Sequence, residues 1–145
     1  MAQALAYPTT ESLPAPQIDL SDPAQRHRLS GPALRSFLEM MRRWHIRDED
    51  ARGLLGGMAA STFYAMKKRQ DTVLEEDRLR RISYLLGIHK GLHTVFAADL
   101  ADRWVTMPNQ NAMFAGATPL AYMLRGGQPA MHNVRRLIEA YAAGH

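Results

Sequence analysis

The sequence contains no cysteine among its 145 residues. That absence excludes a disulfide scaffold, a cysteine nucleophile and a thiolate zinc finger. It also fits a reducing compartment. Long apolar runs are scarce: the apolar stretch Gly53–Ala60 falls far short of the roughly 20 residues that a membrane span needs. Met1–Tyr7 lacks the basic start and long apolar core of a signal peptide. A soluble, cytoplasmic protein is the default expectation. No segment alternates apolar and polar residues over the length of a strand. No Ser/His/Asp order, phosphate loop or dinucleotide fingerprint occurs either. Neither an enzyme nor a bound cofactor is expected.

What remains is apolar enough to fold and unevenly charged. Hydrophobic residues make up 46% of the chain, sufficient for a core in one ordinary domain or two very small ones. The formal net charge is +4. Residues 1–30 carry two Arg against three acids, whereas residues 31–90 carry twelve Lys/Arg against eight Asp/Glu, a net of +4. Residues 91–145 carry four against three. The middle third is therefore the segment that can attract a polyanion, since neutralising phosphates releases their condensed counterions. A well-solvated helical surface is the plainer reading of the same charge.

Five of the eight prolines fall within the first 32 residues with no sustained period, so residues 1–30 read as a flexible leader. From Ala33 the pattern turns helical, with Leu34, Phe37, Leu38, Met41 and Trp44 on one stripe. A second helix is predicted from Asp48, with Asp48 as its cap, burying Ala51, Leu54 and Leu55 and stopping at Gly56-Gly57. A third runs from Ala59 to Arg69 with Phe63 and Met66 inward. A fourth starts near Glu75 and either passes or bends at Gly87 and Gly91. Leu100–Trp104 reads as a short helical turn. Thr118-Pro119 is a strong helix start, Gly126-Gly127 a stop, and Pro129 opens the last helix. The fold class is all-α. The expected division is a leader (1–30), a helix-turn-helix domain (31–90) and a second small helical domain (91–145).

A helix, a glycine turn, then a helix that starts with small polar residues and ends with basic ones has the shape of a helix-turn-helix. The second helix must be slim at its start to approach base edges and phosphates in the major groove. Ala60, Ser61, Thr62 and Tyr64 occupy those positions, and Lys67, Lys68 and Arg69 stand where phosphates would be met. Plain capping accounts equally for Ser61 and Thr62, and a dipole-stabilised helix end for the three cations. Gly56-Gly57 lengthens the turn by one residue, and Ala59 and Ala60 are bland for base readout. A scaffold retained with weak or lost DNA affinity therefore stays open. His89 and His93 stand four apart on a helix, a spacing that can ligate metal. With no Cys, and no acid following before Asp99, no metal site is assigned.

The run from Leu74 to Gly144 resembles the Xre/MbcA/ParS family of antitoxins. The resemblance is carried by Arg78-x-x-Arg81-Ile82-Ser83-Tyr84-Leu85-Leu86-Gly87-Ile88-His89-Lys90-Gly91-Leu92 and then Phe96. Trp104-x-x-x-Pro108-Asn109, Phe114-x-Gly116-x-Thr118-Pro119-Leu120, Met123-x-x-Gly126-Gly127 and Val134-Arg135-Arg136-Leu137 follow in order. Leu54-Leu55-Gly56 and Ser61-Thr62-Phe63-Tyr64 look like the Xre-type half of that family, so the likeness spans about residues 30–145. It implies an antitoxin that covers the active-site entrance of a RES-domain, NAD-depleting toxin with its C-terminal domain and chain end. It also implies repression of the operon's own promoter through the helix-turn-helix. By position, toxin contact would fall on Trp104, Pro108, Asn109, Gly116, Thr118, Pro119, Leu120, Arg135, Arg136, Tyr141, Gly144 and His145. The residues alone also permit Trp104 in a core, a Pro108-Asn109 turn and a Gly126-Gly127 helix stop. Adjacent on a helix, Arg135 and Arg136 point about 100° apart, so at least one is free for an acidic or carbonyl-lined surface. Helix-turn-helix readers usually act as dimers, so a homodimer within a hetero-oligomeric complex is expected. The rival is a stand-alone transcription regulator whose C-terminal domain dimerises or senses a ligand. A third reading keeps the toxin and drops repression.

Overall fold

Asp22 and Pro23 open the first helix. The Asp22 carboxylate accepts the Ala24 N–H at 3.0 Å, and Pro23 takes the first helical position, where its missing N–H costs nothing. The computed structural model describes residues 18–144 and, among them, contains six α-helices and no strand. The all-α reading holds for these residues. Helix α1 spans Pro23–Arg43, starting ten residues upstream of the Ala33 start expected above. Residues 23–30, expected in the flexible leader, are helical. The proline count hid this start, because Pro23 is a helix initiator here, and Pro32 lies inside the helix without ending it. Residues 1–17 of the expected leader lie outside the described residues.

Ser30 shows why α1 extends so far. It is buried, its hydroxyl donates to the Arg26 carbonyl at 2.6 Å, and it accepts the Leu74 N–H at 2.7 Å. A backbone donor 44 positions away thus finds its partner on this part of α1. Downstream, Leu34, Phe37, Met40 and Met41 are buried, and Trp44, at the C-cap, is fully covered.

Helix α2 spans Asp48–Leu54 and α3 spans Ala60–Arg69, separated by a turn in which Gly56 (φ 94°) and Gly57 (φ 88°) take left-handed backbone. Arg47, not Asp48, occupies the α2 N-cap, and no side chain caps that end. Asp48 does not cap because its carboxylate is turned to the Lys67 ammonium of α3, 3.2 Å away. Ala51, Leu54, Leu55, Phe63 and Met66 are buried as expected.

Helix α4, Glu76–Val95, runs unbroken through both of its glycines. Leu79, Ile82, Leu85, Ile88 and Leu92 form its buried stripe. Extended backbone at Phe96 and Ala97 turns the chain into α5, Ala98–Arg103, and a single 3₁₀ turn at Trp104–Thr106. Helix α6 spans Pro119–Ala143, capped by Thr118, whose hydroxyl accepts the Ala121 N–H at 3.0 Å. It kinks at Gly127 (φ 67°, ψ −148°), a backbone state open essentially to glycine alone.

Helix α6 packs along α4, and α1 packs on α4 as well. Gly87 and Gly91 bring α4 and α6 close: a Cβ on Gly91 would sit 2.5 Å from Ile138 Cγ2, and one on Gly87 2.6 Å from Arg135 Nε. One buried cluster runs from Leu34 of α1 to Ile138 of α6. The division expected at residue 90 falls inside α4, because that helix supplies core to both halves. Among the described residues, no helix is long and apolar enough to cross a membrane.

Candidate functional site

Burial of Phe63 and Met66 fixes the rotation of α3, so Ser61, Thr62, Tyr64, Ala65, Lys68 and Arg69 face outward. Tyr64 is 54% exposed. Ala60 is half-buried at the helix start. Ser61, Thr62, Ala65 and Arg69 line a shallow concavity of about 530 Å³ with Asp71 and Thr72. The turn before α3 is held from behind. Arg78 of α4 donates from Nε to the Leu55 carbonyl at 3.2 Å, and Arg52 of α2 reaches the Met58 carbonyl at 3.4 Å.

The three expected phosphate cations differ in their surroundings. Lys67 is engaged internally, paired with Asp48 and lying 5.4 Å from the Phe63 ring centroid and 5.8 Å from that of Tyr64. Arg69 makes a loose exposed pair with Asp71, Nε to Oδ1 3.5 Å. Lys68 is exposed and has no ion-pair partner among the described residues. Lys68 and Arg69 are thus the cations best placed to reach a phosphate. Lys67 steadies α3 against α2, at a value of about 1 kcal/mol or less for so exposed a pair.

A second surface forms where residues 107–118 meet α6. Asn109 donates its N–H to the Ala117 carbonyl and accepts the Gly116 N–H, each at 3.0 Å, closing the loop on itself. Asn109 and Asn111 carboxamides then accept the N–H groups of Asn111 and Met113, both at 2.9 Å. Trp104 packs edge-on against Phe114 at 5.8 Å, and Phe114 against Tyr122 at 5.3 Å. Trp104 and Pro119 are buried, so they support this surface from beneath. Pro108, Gly116, Arg136 and Gly144 are exposed, while Asn109, Thr118, Leu120, Arg135 and Tyr141 are half-buried. Tyr141 Oη lies 3.5 Å from Asn111 Nδ2, tying the last turns of α6 to the loop. Of the adjacent arginines, Arg135 folds over Gly87 and pairs with Glu139, and Arg136 is the outward one. His145 lies outside the described residues.

The kink in α6 is tied to the start of α4. Gln128 donates to the Asp77 carboxylate, and Arg81 pairs with the same carboxylate at 2.9 Å. Arg81 also lies against Gly56 of the turn and within 4.0 Å of where a Gly127 Cβ would stand.

A third group was only half visible in the sequence. His89 and His93 lie one turn apart on α4, and Asp102 of α5 joins them: His93 Nε2 is 2.8 Å from Asp102 Oδ1. Arg43 Nε, at the end of α1, lies 3.5 Å from Asp102 Oδ2. Burial, aided by the neighbouring His93 and Arg43, holds the His89 imidazole below its ordinary pKa. Burial alone would raise Asp102, but the His93 hydrogen bond and the Arg43 charge outweigh it and leave the carboxyl below its usual range. The i, i+4 histidines are legible as a pattern. Their acid is not, because the break at Phe96–Ala97 decides which carboxylate folds back.

The family model for the antitoxin Xre-like helix-turn-helix domain matches residues 23–87, from the first residue of α1 into α4. The uncharacterized protein y4oB of Sinorhizobium fredii is 35% identical over 112 residues, covering 77% of this chain and 84% of the relative. No solved structure matches the chain significantly.

Proposed function

The chain carries an antitoxin Xre-like helix-turn-helix domain over residues 23–87 and is related to y4oB over most of its length, and from that premise we propose that it is the antitoxin of a RES-domain, NAD-depleting toxin. The C-terminal surface covers the entrance to the toxin's active site, and α3 reads the operon's own promoter. The observation that carries this reading is the family match over α1–α4 in a chain that continues into a second, separately built surface. On that surface the self-bonded loop 107–118 and the last turns of α6 form one face. Pro108, Gly116 and Arg136 are its exposed contacts. Asn109, Thr118, Leu120 and Tyr141 border them, and Trp104 and Pro119 set their height. The function is binding, without catalysis.

DNA recognition uses the exposed edge of α3, with Ser61, Thr62 and Tyr64 at the groove and Lys68 and Arg69 on phosphates. A homodimer supplies the two-fold matching a palindromic operator. The deciding experiment expresses the RES-domain gene neighbouring this one, alone and together with this chain. Toxicity alone, rescue together and co-purification of the two proteins are the expected results. If the neighbour is harmless, or the proteins fail to co-purify while this chain still binds its promoter, the chain is a stand-alone regulator and the antitoxin reading fails.

A further inference from the structure

We propose that His89, His93 and Asp102 form a binding site for a divalent transition metal of the zinc type, joining α4 to α5. One ring nitrogen from each histidine and one carboxylate oxygen of Asp102 lie within 4.8 Å of one another. Tetrahedral zinc, with bonds of about 2.0–2.2 Å, needs donor atoms about 3.3 Å apart. The 2.8 Å His93–Asp102 contact would open by about half an ångström, and the wider separations would close by up to about 1.5 Å. Rotation about side-chain bonds suffices for movements of that size.

The donor set suits the metal. Two imidazoles and one carboxylate make a three-ligand site with a fourth position left for water or a partner's side chain. His89 Nδ1 is buried and has no hydrogen-bond partner, a cost that coordination, or the hydrogen bonding it would organise, relieves. The two ring centroids lie 4.5 Å apart, with the ring planes tilted by 55°, one turn apart on a single helix. Arg43 opposes a cation by its charge, yet it pairs with the other oxygen, Oδ2, at 3.5 Å, leaving Oδ1 on the histidine side. A cleft of about 360 Å³ lined by Arg35, Ser36, Glu39, Arg43 and His89 gives a path from solvent.

The site shares no residue with either proposed interface. Its metal would pin the turn at Phe96–Ala97, which hangs α5 and everything after it from α4.

The test titrates Zn2+, and Co2+ as a spectroscopic probe, into the full chain purified without a histidine tag. A single site is expected, with the visible absorption of four-coordinate Co2+ and a rise in melting temperature with Zn2+. His93→Ala and Asp102→Asn should each weaken Zn2+ binding by about tenfold or more and abolish the Co2+ band, with unchanged helical circular dichroism. His132→Ala, at a histidine packed at a tilt against Tyr84 elsewhere, should leave both intact. If wild type binds Zn2+ no more tightly than Asp102→Asn, or if His132→Ala removes the site, the proposal is wrong and the cluster is a hydrogen-bonded pair only.

Discussion

Replacing Gly91 by alanine tests how closely α4 and α6 are packed. Alanine is favoured over glycine inside a helix by about 0.8–1.0 kcal/mol, so on α4 alone the substitution stabilises. Against that, the new methyl would sit 2.5 Å from Ile138 Cγ2, whereas carbon atoms rest at about 3.5–4.0 Å. Ile138 is 1% exposed and β-branched on a helix, so its χ1 has essentially one allowed setting. The missing ångström must come from moving α6, at a cost of about 1–3 kcal/mol. The net expectation is a loss of about 1 kcal/mol, or roughly 3–6 °C in melting temperature. Gly87→Ala is the matched control. Its methyl meets the Arg135 side chain, Nε at 2.6 Å, which is half-exposed and can swing aside. It should be neutral or stabilising by up to about 1 kcal/mol. Ile138→Leu removes the offending methyl at constant volume, so Gly91→Ala in that background should lose most of its penalty. Urea unfolding followed by far-ultraviolet circular dichroism reads all four variants. If Gly91→Ala is as stable as Gly87→Ala in the wild-type background, the two helices do not approach this closely and the argument is refuted.

Three further outcomes follow from the same geometry. Ser30→Ala strands the buried Leu74 N–H without an acceptor and should cost about 1–3 kcal/mol in the same unfolding assay; a neutral result would mean that the residues around Leu74 are not held to α1. Lys68→Ala with Arg69→Ala should weaken promoter binding and lower the slope of log affinity against log salt by about 2, with toxin neutralisation retained. Lys67→Ala should change that slope little, because Lys67 is committed to Asp48, and an equal loss from Lys67 would overturn the distinction. Deleting the residues after Ala140 removes Tyr141, Gly144 and His145. Neutralisation should be lost and promoter binding kept, and a truncated chain that still neutralises would rule out occlusion by the chain end.

Much of the architecture was legible because local chemistry dictated it. The Thr118-Pro119 start and the buried face of α3 follow from capping and a 3.6-residue period, and the stop expected at Gly126-Gly127 is realised as a kink within α6. One helix start and one cap differ from what the local signals suggest, because those signals competed. Asp22-Pro23 opens a helix inside a stretch whose prolines suggest loop, and Asp48 serves an ion pair instead of a cap. In the candidate interface on α3, the outward set was readable from the positions of Phe63 and Met66. The split of duties between Lys67 and its neighbours was not, since it depends on where α2 lies.

The amino-acid sequence by itself determined the all-helical class, the helix-turn-helix pattern and the concentration of positive charge in residues 31–90, each a property of neighbouring residues. Tertiary packing decided the rest. It made Gly87 and Gly91 a close-contact face where they might have been a bend, because Ile138 and Arg135 arrive from about 47 residues away. It buried Trp104 and Pro119, and it turned Arg136 outward and Arg135 over α4. It also brought Asp102, and not the nearer Asp99, to His93. Distances across a core are set by how whole helices pack, and no spacing along the chain encodes them directly.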